Sequence, residues 1–282
     1  MLHALMRTWL HRFRGDLACL EKMILGRTRP GAEEAVREAI ALCGTEPWCE
    51  GCGRSLGEDG GAPPAASPEV RPLCRRCRVQ PMFDGFVRLG CYAPPLDRLV
   101  QRVKGNAWHD VAEAFGRALA CVITRKLSTP PGGWMVVPIP SSPYRRLRRG
   151  IDHTQTMASA LGTELGVRCT RCLRARSWVR QASLGRSERL QRSGLAWRGR
   201  ARIPEASTVL LVDDVRTTGT TLLKARELLK GRGVGSVIPV VVCVKELTET
   251  YVAHEFEHST KRQKLGPTSA SCPHQNRGQQ GC

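Results

Sequence analysis

Aromatic residues are scarce: only 5% of the 282 residues are Phe, Trp or Tyr. Base-stacking platforms need such rings, and only Tyr144, Trp178 and Trp197 fall in the most basic stretch of the chain. Composition therefore argues against a dedicated single-strand binder. Long apolar runs are also missing. Val240–Val244, with Val237 and Ile238 just before Pro239, has the length of a strand and is far short of a membrane span. No GxxxxGK[ST] loop occurs. The N-terminus has neither a continuous apolar core nor a small-residue cleavage site, so no signal peptide is expected. Thirteen cysteines, an odd and unevenly spaced set, do not suit a secreted disulfide scaffold. Cytoplasm is the expected location. The length suits one α/β domain with additions, and a hydrophobic content of 41% leaves part of the chain outside a packed core.

Acids are in short supply, 25 against 44 Lys and Arg, for a net charge of +19. The imbalance is local. From Pro140 to Arg202 there are fifteen arginines, no lysine and three acids, Asp152, Glu164 and Glu188. Such a field draws polyanions. A phosphorylated substrate, nucleic acid, or simply an arginine-rich surface with no specific ligand each accounts for it.

The most informative stretch runs from Val209 to Thr221. Val209–Val212 is apolar and reads as a buried parallel strand. Asp213 and Asp214 follow where that strand is expected to end, at the carboxyl edge where open α/β sheets hold ligands. Thr217-Thr218-Gly219-Thr220-Thr221 comes next, and Leu222–Lys230 reads as a helix stopped by Gly231. A tight loop entering a helix N-terminus offers unpaired N–H groups and a favourable dipole to an anion. Gly219 lets the backbone approach closely, and the threonine hydroxyls add donors. Carboxylates repel a phosphate, so the acid pair must serve another group, and ribose hydroxyls are suitable donors. The stretch resembles the 5-phosphoribosyl-1-diphosphate (PRPP) signature of type I phosphoribosyltransferases. In that family the acids hold the ribose hydroxyls and the loop holds the 5′-phosphate. A strand ending in Walker-B-type acids would need the upstream loop that this chain lacks.

The second signal is Cys49-Glu50-Gly51-Cys52 with Cys74-Arg75-Arg76-Cys77, two CxxC knuckles separated by the twenty-one residues 53–73. Four thiolates from two such turns suit a closed tetrahedral zinc site of structural type. Cys169 and Cys172 form a third, lone CxxC; on a strand, residues three apart face opposite ways. Cys91, Cys121 and Cys243 read as small core residues.

Along the rest of the chain, Leu2, Leu5, Met6, Trp9, Leu10, Phe13, Leu17, Leu20 and Ile24 make one helical stripe with a basic opposite face. It suits packing on the chain or a partner, with a membrane surface as the alternative. Helices are predicted over 31–42, 96–103, 111–122 and 151–165, the second and third flanking Lys104-Gly105-Asn106. Strands are predicted over 83–92, 134–140, 168–173 and 236–244. Residues 174–200 read as a mobile basic excursion, and those beyond Glu246 as a disordered polar tail, in which Cys272, His274 and Cys282 suggest no second metal site.

Taken in order, the double CxxC, Lys104, Val137-Pro138-Ile139-Pro140, Arg148-Arg149-Gly150-Ile151-Asp152-His153, Gln181, Leu184, Glu188-Arg189 and the acid-pair loop resemble the ComF family of phosphoribosyltransferase-like proteins. The resemblance covers roughly residues 47–245. Family members often carry Asn-Gln where this chain has Asp152-His153, and Asn where it has Arg192. The resemblance implies an α/β fold of the type I phosphoribosyltransferase kind, a parallel sheet flanked by helices, with a small zinc-ribbon-like module before it. The expected organisation is a helical extension over 1–46, the zinc module over 47–82, the phosphoribosyltransferase-like domain over 83–247 and the tail over 248–282. It further implies PRPP bound with Mg²⁺, a structural zinc at Cys49, Cys52, Cys74 and Cys77, and catalytic acids Asp213 and Asp214. The ribose and 5′-phosphate fall to these acids with Thr217, Thr218, Gly219, Thr220 and Thr221. Lys104, Arg145, Arg149, Gln181 and Arg189 are candidates for the diphosphate side or a lid. Thr217 stands where some purine-type relatives carry a carboxylate base, and no N-terminal amidotransferase cysteine is evident, since Cys19 lies in the apolar stripe. The implied functions are phosphoribosyl transfer to an amine or base, a non-catalytic DNA-uptake module contacting single-stranded DNA or a partner protein, or a PRPP sensor.

Overall fold

Four apolar runs pair into a single parallel sheet in the computed structural model, which describes residues 31–43, 46–57, 71–106, 108–128, 133–142, 151–175, 194–199 and 201–246. All of these fall in one compact unit, Met1–Glu246; a second, Leu247–Cys282, lies outside the described residues. Outside them too are the N-terminal stripe, most of the spacer between the CxxC knuckles, and the stretches carrying Arg145, Arg149, Gln181 and Arg189. The elements are α1 Ala32–Leu42, α2 Arg75–Val79, β1 Val87–Cys91, α3 Leu96–Asn106, α4 His109–Lys126, β2 Trp134–Pro138, α5 His153–Glu164, β3 Leu173–Ala175, β4 Leu195–Trp197, β5 Thr208–Arg216, α6 Thr220–Lys230 and β6 Ser236–Val244.

The sheet order is β1-β6-β5-β2, every pair parallel. Strand alternation divides its residues between two cores. Leu210 and Val212 join the core built with α1, α3, α4 and α5, whereas Val209 and Leu211 join the one built with α6 and the β3–β4 hairpin. Both faces are thus covered, which explains the unbroken apolar composition of β5 and β6. Pro239 lies inside β6 opposite Leu211. The ladder to β1 begins only at the next residue, Val87↔Val240, so the missing N–H falls outside the paired stretch on that flank. A side chain at Gly116 would lie 2.4 Å from the Met157 carbonyl oxygen, so α4 crosses α5 at a distance that only glycine permits.

Several expectations need correction. β5 does not stop before the acids but runs through them to Arg216, because β6 keeps pairing with it to Val244. The helix predicted to end before Lys104 continues to Asn106, which places Lys104 on its last turn. The 174–200 stretch is not unstructured at its ends: β3 and β4 pair antiparallel, with Leu173 opposite Trp197, and the Arg232 guanidinium sits 5.0 Å from the Trp197 ring. Strands of three residues are too short to show a period of two. Of the 168–173 strand, only Cys169 bridges the sheet, at Val136. Cys169 and Cys172 do contact opposite cores, in keeping with their spacing. Cys243 is buried as expected, Cys91 is half-buried, and Cys121 is exposed because it falls beside the buried stripe of α4, between Ala120 and Ile123.

Candidate functional site

The acid pair stands on a stagger in the sheet. β2 pairs with β5 only as far as Pro138↔Val212, and Ile139 N then donates to the Val212 carbonyl at 2.8 Å. Beyond that point β5 keeps β6 on one side and has lost β2 on the other, so Asp213 and Asp214 border the crevice left by the departing strand. Each carboxylate takes the next main-chain N–H: Asp214 N donates to Asp213 Oδ1 at 2.9 Å, and Val215 N to Asp214 Oδ1 at 2.6 Å.

Two side chains, a lysine and a histidine, converge on the other oxygen of Asp214. Lys104 Nζ, from the end of α3, lies 2.8 Å from Oδ2, and His153 Nε2, from the first residue of α5, lies 2.7 Å from it. His153 is buried and its Nδ1 has no hydrogen-bond partner. Asp152 caps α5 by accepting from Gln155 N, which holds the helix start and therefore His153 in place. The two acids consequently diverge. Burial pushes the Asp213 carboxyl up, with the Asp214 charge adding to it, to about 8. Burial alone would raise Asp214 as well, but the hydrogen bond from His153 and the Lys104 charge outweigh it and hold Asp214 below the usual carboxylate range. At neutral pH the pair carries one negative charge, on Asp214.

The loop after the acids turns directly into the start of α6. Gly219 adopts φ 86°, a left-handed conformation that side chains rarely take, and serves as N-cap of α6 with no side-chain cap bond. Thr218 Oγ1 accepts from Thr220 N at 3.3 Å, so the first N–H of α6 is met by a neighbouring hydroxyl, while Gly219 itself brings no capping side chain to the N–H groups that follow. The Thr218 and Thr220 hydroxyls are 2.9 Å apart, and Thr217, Thr220 and Thr221 are exposed. The structure thus unites Asp213, Asp214, Thr217, Thr218, Gly219, Thr220 and Thr221 on one strand–loop–helix junction and adds Lys104 to Asp214. Arg145, Arg149, Gln181 and Arg189 lie outside the described residues.

The four CxxC cysteines also come together, their sulfurs all within 4.8 Å of one another. Gly53 N donates to the Cys49 carbonyl at 2.7 Å, and Cys74 N to Cys49 Sγ at 3.2 Å. Gly53 takes φ 77°, and a Cβ there would strike the Phe86 ring. Hydrogen bonding among the thiols lowers Cys49 to about 6 and lowers Cys74, while Cys52 and Cys77 are raised. A set of four sulfurs that shares protons in this way fits a soft divalent cation, with no ligand position left for water.

The phosphoribosyl transferase domain model matches residues 147–265. DNA utilization protein YhgH of Salmonella typhi is 28% identical over 215 residues, 74% of this chain and 86% of that protein. Competence protein F of Haemophilus influenzae is 26% identical over 202 residues, 68% of this chain and 82% of that protein. Over residues 147–265 the chain thus resembles the phosphoribosyl transferase domain, and over most of its length it is similar to proteins named for DNA utilization and competence. Solved phosphoribosyltransferases superpose loosely: adenine phosphoribosyltransferase from Saccharomyces cerevisiae gives a TM-score of 0.33 at 17% identity, over 55% of this chain and 76% of that one. Among the described residues no helix is long and apolar enough to cross a membrane.

Three residues with clear roles are not evident from the sequence. His153 stands at a departure from the ComF pattern, yet it is the residue that grips Asp214. Its one advance signal is a polar pair, Asp152-His153, at a helix start. Arg88 lies on β1 and is buried. Its guanidinium donates to the Gly53 carbonyl at 2.9 Å and Ser55 Oγ at 2.8 Å, and pairs with Glu246 at 3.3 Å, fastening the cysteine module to β1. Arg216, the last residue of β5, is also buried.

The raised Asp213 carboxyl makes a pH prediction. Its folded-state value lies above its unfolded one, so the folded state binds more protons between about pH 4 and about pH 8, and stability falls as pH rises through that window. Asp213→Asn keeps the oxygen that accepts from Asp214 N and removes this cost. Thermal melts should show the variant more stable than wild type at pH 8, with the difference shrinking toward pH 4. Each kcal/mol corresponds to about 2–4 °C at this chain length. A variant melting below wild type at pH 8 would count against the buried, protonated acid.

Proposed function

We propose that this site binds a 5-phosphorylated ribose, with PRPP and its magnesium as the ligand. The observation that carries the reading is the junction at Asp213–Thr221, where an acid pair is followed at once by a hydroxyl-rich turn and a helix start opened by left-handed Gly219. Phosphate oxygens would accept from the first N–H groups of α6 and from the threonine hydroxyls. Asp214, ionised, would accept from one ribose hydroxyl. Asp213 has an oxygen not occupied by Asp214 N for the other.

For transfer, the bond between ribose C1 and the diphosphate oxygen breaks, the electron pair leaves with the diphosphate, and a nucleophile bonds to C1. Magnesium, arriving as part of the substrate, neutralises the leaving group. The Asp214 charge favours the cationic ribose electrostatically. Lys104 is held on Asp214 before ligand arrives and is the nearest described cation that a diphosphate could draw away. Thr217 offers no carboxylate to take a proton from a nucleobase, so the acceptor favoured is one that needs little help, such as an amine. The four cysteines are assigned a structural zinc, which would hold the two knuckles together against β1.

A second reading, contact with single-stranded DNA or a DNA-uptake partner, is supported by the names of the relatives and by the fifteen arginines between Pro140 and Arg202. A PRPP sensor without turnover uses the same pocket.

Calorimetry with PRPP and Mg²⁺ should show binding by the native protein and a loss of at least tenfold for Asp213→Asn/Asp214→Asn. Equal binding by both, or by neither, rejects the ligand. Metal analysis should return about one zinc per chain, and chelation should destabilise the fold; full stability without metal would contradict a structural site. For DNA, log affinity for a single-stranded oligonucleotide should fall steeply and linearly with log salt, and an affinity unmoved by salt excludes the arginine surface.

A further inference from the structure

A groove of about 250 Å³ lies between α1 and α3. Both walls follow helical spacing. From α1 it is lined by Ala35, Glu38, Ala39 and Leu42, at i, i+3, i+4 and i+7. The turn into α3 and the helix itself repeat that interval with Pro95, Arg98, Leu99 and Arg102. A furrow between two such faces is filled by an amphipathic helix whose apolar side chains recur at the same spacing. The floor is apolar: Ala39 and Leu99 are buried and Ala35 is half-buried. Leu42 is 75% exposed, one of two large hydrophobic side chains so exposed among the described residues. The rim is charged, with exposed Glu38 on the α1 side and exposed Arg98 and Arg102 on the α3 side.

The chain carries a matching occupant. Residues 2–24 hold the apolar stripe that the sequence predicts as one face of a helix. That stripe ends at Ile24, and six residues, 25–30, separate it from Gly31 at the start of α1. A link of this length is usual between antiparallel helices, and Gly26 and Pro30 within it are turn residues. The covalent link also gives the stripe an effective concentration on the order of millimolar at the groove, an advantage over any free partner. Charge fits as well. Residues 1–30 contain two acids, Asp16 and Glu21. At about 100° per residue, Asp16 falls between Leu5 and Trp9 at one edge of the stripe, and Glu21 falls beside Leu10 at the other. Either edge can therefore present a carboxylate to Arg98 and Arg102. Arg12 and Arg14, on the same two edges, suit Glu38 on the opposite wall.

We propose that residues 2–24 dock as a helix in the α1–α3 groove, with their apolar face on Ala39, Leu42 and Leu99. The segment is then an intramolecular cover for these two helices. It also braces α3, the helix whose last turn brings Lys104 to Asp214.

The test places p-benzoylphenylalanine at Leu42 of the full chain, irradiates it, and identifies the joined peptides by mass spectrometry. They should come from residues 2–24, in a product of monomer mass. A product of dimer mass makes the groove an interface between copies. Peptides from elsewhere in the chain, or no crosslink at all, leave the groove without this occupant. Each of these results overturns the proposal. Hydrogen exchange supplies a second measurement, with Leu42→Glu as the variant; its exposed position spares the core while setting a carboxylate against the stripe. Amides of residues 5–24 should exchange at least tenfold more slowly in wild type than in Leu42→Glu. Equal exchange in the two proteins overturns the proposal, as does protection that appears only when anionic phospholipid vesicles are added, which would assign the stripe to a membrane surface.

Discussion

Two half-buried carboxylates in succession on a strand cannot readily both ionise without partners to meet them. Lys104 and His153 meet Asp214 from opposite elements, at 2.8 and 2.7 Å, and Asp213 stays protonated to about pH 8. Much of the arrangement follows from this demand. α3 must run one turn past Val103 to deliver Lys104. α5 must begin at the crevice, with Asp152 as its cap, to deliver His153. The close crossing of α4 and α5 at Gly116 lets α5 approach the sheet from the right side. The same clamp leaves an unliganded pocket with a single negative charge, which a diol or a magnesium-bearing ligand would meet more easily than it would two.

The cysteine module is part of the same construction. It is attached to the sheet edge by Arg88, whose guanidinium binds the knuckle turn at Gly53 and Ser55, and by Trp48, whose indole N–H donates to the Phe86 carbonyl at 2.9 Å. These contacts fall on β1 and on the residue just before it, and β1 pairs with β6, which pairs in turn with β5. Met82, which packs against the cysteine cluster, also reaches Gly219 at the start of α6.

Legibility in the sequence differed sharply between the halves of the site. The acid-pair loop was readable because all its parts are local: the strand, the acids, Gly219 and the helix occupy consecutive positions, and each has a strong conformational preference. The CxxC knuckles were readable for the same reason, since paired sulfurs on a tight turn have a fixed spacing. The β6 strand was read with its full bounds despite Pro239, because its apolar run outlasts the interruption. Lys104 was singled out only through family resemblance, and His153 only as a departure from it. Their meeting on Asp214 joins positions 104, 153 and 214, and no local pattern encodes such a distance. The β3–β4 pairing was hidden for another reason, strands too short to carry a period.

The chain by itself determined the parts whose physics is short-ranged: which runs are buried strands, where an anion can meet a helix start, and which four sulfurs can share an ion. Tertiary structure alone decided how far β5 outruns β2, which acid keeps its proton, and that Arg88 and Arg216 are buried cations. Those outcomes depend on desolvation and on charges brought together from distant segments. Burial and Coulomb interaction are set by separation in space, which a one-dimensional pattern does not carry.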